Sequence, residues 1–296
     1  MSRTRDIISS PRVVEIKRAK RKTKIRLFVL YVIFMAVIIL GLSFLSQWNK
    51  MKIDKINVIG AHIIWESDIQ KKVETDISGK YFYLFSKSNA FLFPKSYIYN
   101  DLITSFTRIE KLTITRADLK TLNITLTERT GSFLWCGERI PEKLDEIGEN
   151  CYFINNDGYI FDKAPYFSGN LYFKFYIPLE KSENNSPLTK QVLPKEKFIS
   201  LMGFVDKITS LGFKPAYIRY NSNNTAELYL ESKIGDTSPK IIFSTEAGNN
   251  DDLKQLADDF SLAMKKPEFA EEIKNNYNRL LYIDLQFKNK VLYKLQ

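Results

Sequence analysis

Leu27 to Ser46 reads LFVLYVIFMAVIILGLSFLS, 20 residues without a single charge. As a helix, that run spans about 30 Å, the thickness of a bilayer's hydrocarbon core. A cleaved leader carries a shorter apolar stretch, about 7–15 residues, closed by a small-residue cleavage site. Phe44-Leu45-Ser46-Gln47-Trp48 fits such a site poorly, so the sequence predicts an uncleaved transmembrane helix over 27–46. Trp48 falls where an interfacial aromatic belongs. No other apolar run approaches this length, and the chain is expected to cross the membrane once.

The charge distribution sets the expected direction. Residues 1–26 carry ten Lys or Arg against Asp6 and Glu15, so the tail holds +8 of the net +10. The positive-inside rule then keeps the tail cytoplasmic and places residues 47–296 outside. The remainder is only +2, which leaves little to attract nucleic acid, and no nucleic-acid partner is expected. With 44% hydrophobic and 26% charged residues, the chain as a whole has the composition of a folded protein.

Periodicity divides the outer part into two modules, 51–130 and 131–296. In the first, Ile53–Ile64 is β-rich, with Gly60 as a break. A helix is expected next, with Ser67 and Gln70 as a capping box, Ile69, Val73 and Ile77 on one face, and Gly79 at its end. An aromatic loop, Tyr81–Phe85, precedes a second helix opened by Pro94, with Ile98, Leu102, Phe106 and Ile109 on one face. Leu112 and Ile114, then Leu122, Ile124 and Leu126, alternate as two strands. The order is β-α-α-β-β, in which two helices can cover one face of a three-stranded sheet.

In the second module, Asp157-Gly158 between two aromatic runs predicts a hairpin. Residues 181–195 read as a polar connection. Phe198, Leu201, Met202, Val205 and Ile208 form a helical stripe ended by Gly212. Strands are expected at 216–220, 226–231 and 240–244. Leu253, Leu256, Ala257 and Phe260 form another stripe after a cap-like Asn250-Asp251, and Pro267 starts a short helix through Phe269, Ile273 and Tyr277. Leu281, Ile283, Leu285 and Phe287 then alternate in a closing strand, with a turn or bulge at Lys288-Asn289-Lys290. The expected fold class is α+β: one transmembrane helix, the β-α-α-β-β module, and a second α/β domain with a mixed or antiparallel sheet.

The search for chemistry returns little. His62 is the one histidine, and it follows a strand segment with no nucleophile or ligand pattern near it. Cys136 and Cys151 are the only cysteines, too few for a structural zinc site without further ligands. They flank a polar segment that could be a long hairpin loop, where they either bridge or remain as buried thiols. Asp145, Glu146 and Glu149, and Asp251, Asp252, Asp258 and Asp259, read as solvated faces. The N-x-S/T matches at Asn123, Asn184 and Asn223 are expected by chance. No calcium loop, Walker loop or G-x-G-x-x-G occurs. The expectation is a non-enzyme without a cofactor or metal.

Three phrases carry a resemblance. IDKINVIGAHIIWESDI (53–69) is similar to the opening strand, glycine and first helix of a POTRA module. IEKLTITRADLKTLNITLTERTGSFLW (109–135) is similar to paired strands with an L-x-I-x-x-x-E-R phrase before a tryptophan. LLYIDLQFKNKVLY (280–293) looks like a closing Y-V-D-L-R-Y strand, and Asn156–Phe161 fits a D-x-G-x-V-F hairpin. In this order, behind a basic tail and one anchor, the chain resembles the FtsQ/DivIB family of bacterial cell-division proteins.

The resemblance implies a divisome scaffold at the division septum. Such a scaffold links septum-assembly proteins through extracytoplasmic contacts, including the small coiled-coil partners FtsB and FtsL and other divisome proteins. It also implies a partner strand added at the terminal β region. By position, Tyr282, Ile283, Asp284, Leu285, Gln286 and Phe287 match that region, with Gln286 where the family has arginine. Ile283 and Leu285 are expected to face the core, which leaves Tyr282, Gln286 and Phe287 as contacts. The rival readings are a POTRA-bearing component of another envelope or protein-transport assembly, and a membrane-tethered cell-wall enzyme.

Overall fold

The structure, a computed structural model, describes residues 11–141, 150–167, 171–180, 186–231, 238–245, 250–287 and 290–296. The side chains of 11–19 and 250–252 are outside that description. So are the first ten residues of the basic tail, Asp145, Glu146, Glu149, Asn184, the start of the 181–195 connection, the side chains of the expected Asn250-Asp251 cap, and the turn at Lys288-Asn289.

One helix, α1 (Pro11–Ser46), opens the chain. Its Lys20–Ser46 stretch is long and apolar enough to cross a membrane, the one such helix among the described residues. The helix is longer than the apolar run, because Lys and Arg are good helix formers and let it continue back through the basic segment.

There follow β1 (Lys55–Ile59), α2 (Glu66–Asp76), β2 (Lys80–Tyr81), β3 (Phe85–Ser86), α3 (Lys95–Ser105), β4 (Ile109–Arg116) and β5 (Thr121–Glu128). The sheet order is β1-β5-β4, with β1 parallel to β5 and Val58 opposite Ile124. Ile69 and Val73 of α2, Ile98 and Leu102 of α3, and Val58, Ile114, Leu122, Ile124 and Leu126 of the strands are buried.

Gly60 has φ +90°, and a Cβ there would run into the Leu126 carbonyl. Only glycine fits both the conformation and the space.

Two local expectations are corrected. Helix α2 begins at Glu66 with Trp65 as its N-cap, so Ser67 lies inside the first turn and caps nothing. The Trp65 carbonyl takes the first helical amide hydrogen bonds instead, and Gln70 Nε2 donates to the Ile56 carbonyl at 3.1 Å. Helix α3 stops at Ser105, so Ile109 belongs to β4 rather than to the helical face. The expected aromatic loop contains the short antiparallel pair β2–β3.

The second part carries β6 (Phe133–Trp135), β7 (Tyr152–Ile154), β8 (Ile160–Lys163), β9 (Lys174–Tyr176), α4 (Lys195–Ser210), β10 (Pro215–Tyr220), β11 (Thr225–Leu230), β12 (Lys240–Ser244), α5 (Asn250–Met264), α6 (Pro267–Asn275), β13 (Leu280–Asp284) and β14 (Leu292–Leu295). The strands form one mixed nine-stranded sheet, ordered β14-β13-β12-β11-β10-β9-β6-β7-β8. Phe198, Leu201, Phe204 and Ile208 of α4, and Leu253, Ala257 and Phe260 of α5, join Ile218, Leu228, Ile241 and Ile283 in one core. Gly212, at φ +94° just past the Leu211 C-cap of α4, supplies the left-handed residue that ends many helices.

By compactness the chain forms two units, Met1–Phe106 with Lys111–Thr127, and Thr107–Glu110 with Glu128–Gln296. The body is α+β with mixed sheets.

Candidate interaction surface

The closing segment differs from the single strand expected. Leu280–Asp284 pairs in parallel with β12, Ile241 opposite Ile283, and antiparallel with β14, Ile283 opposite Tyr293. Both sides of the β13 backbone are therefore occupied, and a partner strand cannot add there. The sheet's outermost strand on this side is β14, with none beyond it among the described residues.

A register shift between Leu280 and Tyr282 places Leu280, rather than Leu281, in the core. Ile283 and Leu285 are buried. Tyr282 and Asp284 are half-buried on the opposite face of the sheet. Asp284 Oδ1 accepts the Gln286 amide at 2.9 Å and turns the chain out of the strand. Gln286 and Phe287 follow as exposed residues, Phe287 at 53%. The alternation expected to put Phe287 with Leu285 fails because this turn breaks the pleat.

The other end of the sheet is closed. The Ile160 amide of β8 donates to the Lys190 carbonyl, and the Ile160 carbonyl accepts from Thr189, both at 2.9 Å. Thr107 Oγ1 donates to the Phe161 carbonyl, and Arg108 pairs with Asp162 while stacking over Phe153 and Phe161. An unpaired edge is a template for strand addition, so β14 is where this sheet can accept one. Beside it lies a hollow of about 310 Å³ lined by Leu262, Phe269 and Val291, with the Phe269 ring packed edge-on against Tyr293.

The sheet face opposite the helices carries two rows of side chains in register. One reads Lys174, Tyr217, Tyr229, Lys240, Tyr282, Lys294 from β9 to β14, skipping no strand. The other reads Tyr176, Arg219, Glu227, Ile242, Asp284, Leu292. The Tyr217 and Tyr229 rings stack at 4.6 Å, and Lys240 lies over Tyr229.

Glu227 is buried and central. Lys240 Nζ lies 2.7 Å from Oε1, Arg219 Nη2 lies 2.8 Å from Oε2, and the Tyr229 hydroxyl donates to Oε2 at 2.8 Å. Burial opposes its ionisation, but the Lys240 and Tyr229 hydrogen bonds and the two cations outweigh it and hold the carboxyl below its ordinary range. Tyr217 and Tyr229 are pushed up, chiefly by burial. Tyrosine, arginine and half-buried apolar surface are the composition of protein-binding patches.

Cys136 and Cys151 form a disulfide, with Cα atoms 4.2 Å apart, at the base of the β6–β7 hairpin where Trp135 pairs with Tyr152. The hairpin at Asp157-Gly158 is built by Asn155, whose Oδ1 accepts the Asp157 and Tyr159 amides. His62 is exposed in the turn after β1. Asp258 is exposed on α5. No group of three His, Cys, Asp or Glu that could hold a metal occurs among the described residues.

Sequence reasoning missed β9, and its alternatives of a turn or a bulge at Lys288-Asn289-Lys290, with Val291-Leu292-Tyr293 ending the pattern, did not separate β14 from the closing strand. The alternation of Leu292 and Lys294 with Tyr293 and Leu295, after a Lys-Asn-Lys turn, could have signalled β14. Compared with known proteins, the chain matches no family model and no curated relative.

Proposed function

We propose that this protein is a membrane-anchored scaffold of the FtsQ/DivIB type. The basic tail is cytoplasmic, α1 spans the membrane, the β-α-α-β-β unit is a POTRA-like module, and the remainder lies outside at the division septum. It binds a small coiled-coil protein of the FtsB or FtsL kind, together with other divisome proteins, and works by contact rather than by catalysis.

The observation that carries this reading is the asymmetry of the nine-stranded sheet: β8 is covered by 189–191 and Thr107, whereas β14 ends the sheet. A strand added to β14 extends the Lys-Tyr face. It also meets the hollow beside Phe269, so main-chain bonds and side-chain pockets act together. Exposed Gln286 and Phe287 border the same end.

The test is site-specific photo-crosslinking in living cells from Lys294 and from Phe287, with mass spectrometry of the adducts. A small single-pass coiled-coil protein is expected from both. A large transport or envelope component in its place would move the scaffold to another assembly, and no adduct from either position would sink the edge. A reporter fused after Trp48 is expected to be active only outside the cytoplasm.

A further inference from the structure

At the end of α1, the β2–β3 hairpin folds back along the helix. Ser43 Oγ donates to the Leu84 carbonyl at 2.7 Å, and Gln47 Nε2 donates to the same oxygen at 3.2 Å. The Ser86 amide donates to Ser46 Oγ, and Asn89 Nδ2 to the Ser46 carbonyl. Ser43 and Ser46, the buried members of this stretch, are thus occupied in tying the hairpin down. Leu42 and Leu45 line one hollow of about 480 Å³ together with Phe82, Phe85 and Phe91, and its walls are almost wholly apolar.

This attachment sets depth. Leu84 bonds three residues before the helix end, and Phe82 shares a hollow with Leu42, one residue deeper. At about 1.5 Å per residue, the tip reaches roughly 5 Å back along the apolar helix. The tip is Phe82-Tyr83, 88% and 94% exposed, with φ of +48° and +62°. Two consecutive bulky residues in the left-handed region are held there against their own preference. Phe91 and Leu92, also exposed, line the same hollow as Phe82, and Trp48 is exposed just past the helix end.

The charges agree with this placement. Lys50, Lys52, Lys80 and Lys87 flank the patch, and neither 43–53 nor 77–95 contains an Asp or Glu. An aromatic tip within a collar of lysines matches the headgroup layer of an anionic bilayer.

The geometry points to the β2–β3 hairpin as a second membrane contact: Phe82, Tyr83 and Phe91 insert into the outer leaflet, and Lys50, Lys52, Lys80 and Lys87 meet its anionic headgroups. The contact rests on the reading of α1 as a membrane span. It fixes the first unit against the bilayer surface instead of leaving it on a swivel.

The test uses the full chain in vesicles of phosphatidylethanolamine and phosphatidylglycerol, with spin labels at Y83C, at F34C within α1, and at S210C as a water-facing reference. Collision rates with oxygen and with a water-soluble nickel chelate are compared. The expected result is an oxygen-to-nickel ratio several-fold higher at Y83C than at S210C, approaching that at F34C. An F91C label is expected to follow Y83C, which guards against a local fault of one variant. A water-like ratio at Y83C with F34C embedded overturns the hairpin contact and leaves the anchor standing. A water-like ratio at both overturns the span and the contact together. Shielding of Y83C from both reagents means a protein occupant and overturns the lipid assignment.

Discussion

Arg219 faces Glu227 directly across the β10–β11 pair, and its Nη2 lies 2.8 Å from Oε2 while Lys240 reaches the other oxygen. The carboxylate therefore holds two cations together on one sheet face. Truncating it leaves Arg219 and Lys240 repelling one another over a half-buried surface.

Glu227→Ala is expected to destabilise the second unit by about 2–3 kcal/mol, below the cost of breaking a fully buried pair because Arg219 remains partly exposed. Because the folded carboxyl sits below its ordinary value of 4.5, its contribution is complete above that pH and is lost on acidifying below it. Urea unfolding of wild type and variant at pH 7 and pH 3 measures this. An equal gap at both values would show that the pair does not carry the effect.

Asp76 has the opposite sign. It is buried against Asp101, and burial first, then the Asp101 charge and hydrogen bond, push it up to about 6 against the pull of Lys72. A raised acid favours folding where it is protonated, so the cost of ionising Asp76 sets in above its ordinary value of 3.8, is complete above about pH 6, and is gone below 3.8. Asp76→Asn should raise the Tm at pH 8 and change it little at pH 3. A Tm lowered at pH 8 would count against the assignment.

Gly60→Ala combines left-handed strain with a collision against the Leu126 carbonyl. It is expected to cost at least about 2 kcal/mol, more than a helix-interior alanine exchange would. Chemical denaturation with tryptophan fluorescence reads this, and an unchanged midpoint would mean that the turn relaxes.

Removing the disulfide by a paired Cys136→Ser and Cys151→Ser change frees a 15-residue separation. Closing a loop of this size is worth about 3 kcal/mol, so a loss of that order is expected in the second unit. Proteolysis of the β6–β7 hairpin under native conditions should accelerate. Full resistance without the bridge would place the hairpin's stability in its aromatic packing instead.

Local information in the chain went far. The charge-free run announced the long helix, and the helical stripe from Phe198 to Ile208 and the period-2 pattern of Leu122, Ile124 and Leu126 marked the elements found there. Asp157-Gly158 marked its hairpin. These signals lie within a few residues of one another, so short-range sterics and the in-or-out pattern of side chains suffice to read them.

What governs the candidate surface is not local. Which strand ends the sheet depended on whether Leu292–Leu295 turned back to pair with Leu280–Asp284, a choice made by long-range hydrogen bonds. The Lys-Tyr row exists only because five separate strand pairings put Lys174, Tyr217, Tyr229, Lys240, Tyr282 and Lys294 side by side. The proximity of Cys136 to Cys151 likewise required the β6–β7 register. The sequence by itself determined the long apolar helix, the element types and the apolar faces, because each follows from neighbours along the chain. The tertiary structure alone decided the edge, the face and the placing of Phe82 beside Leu42, because these depend on residues distant in sequence meeting in space.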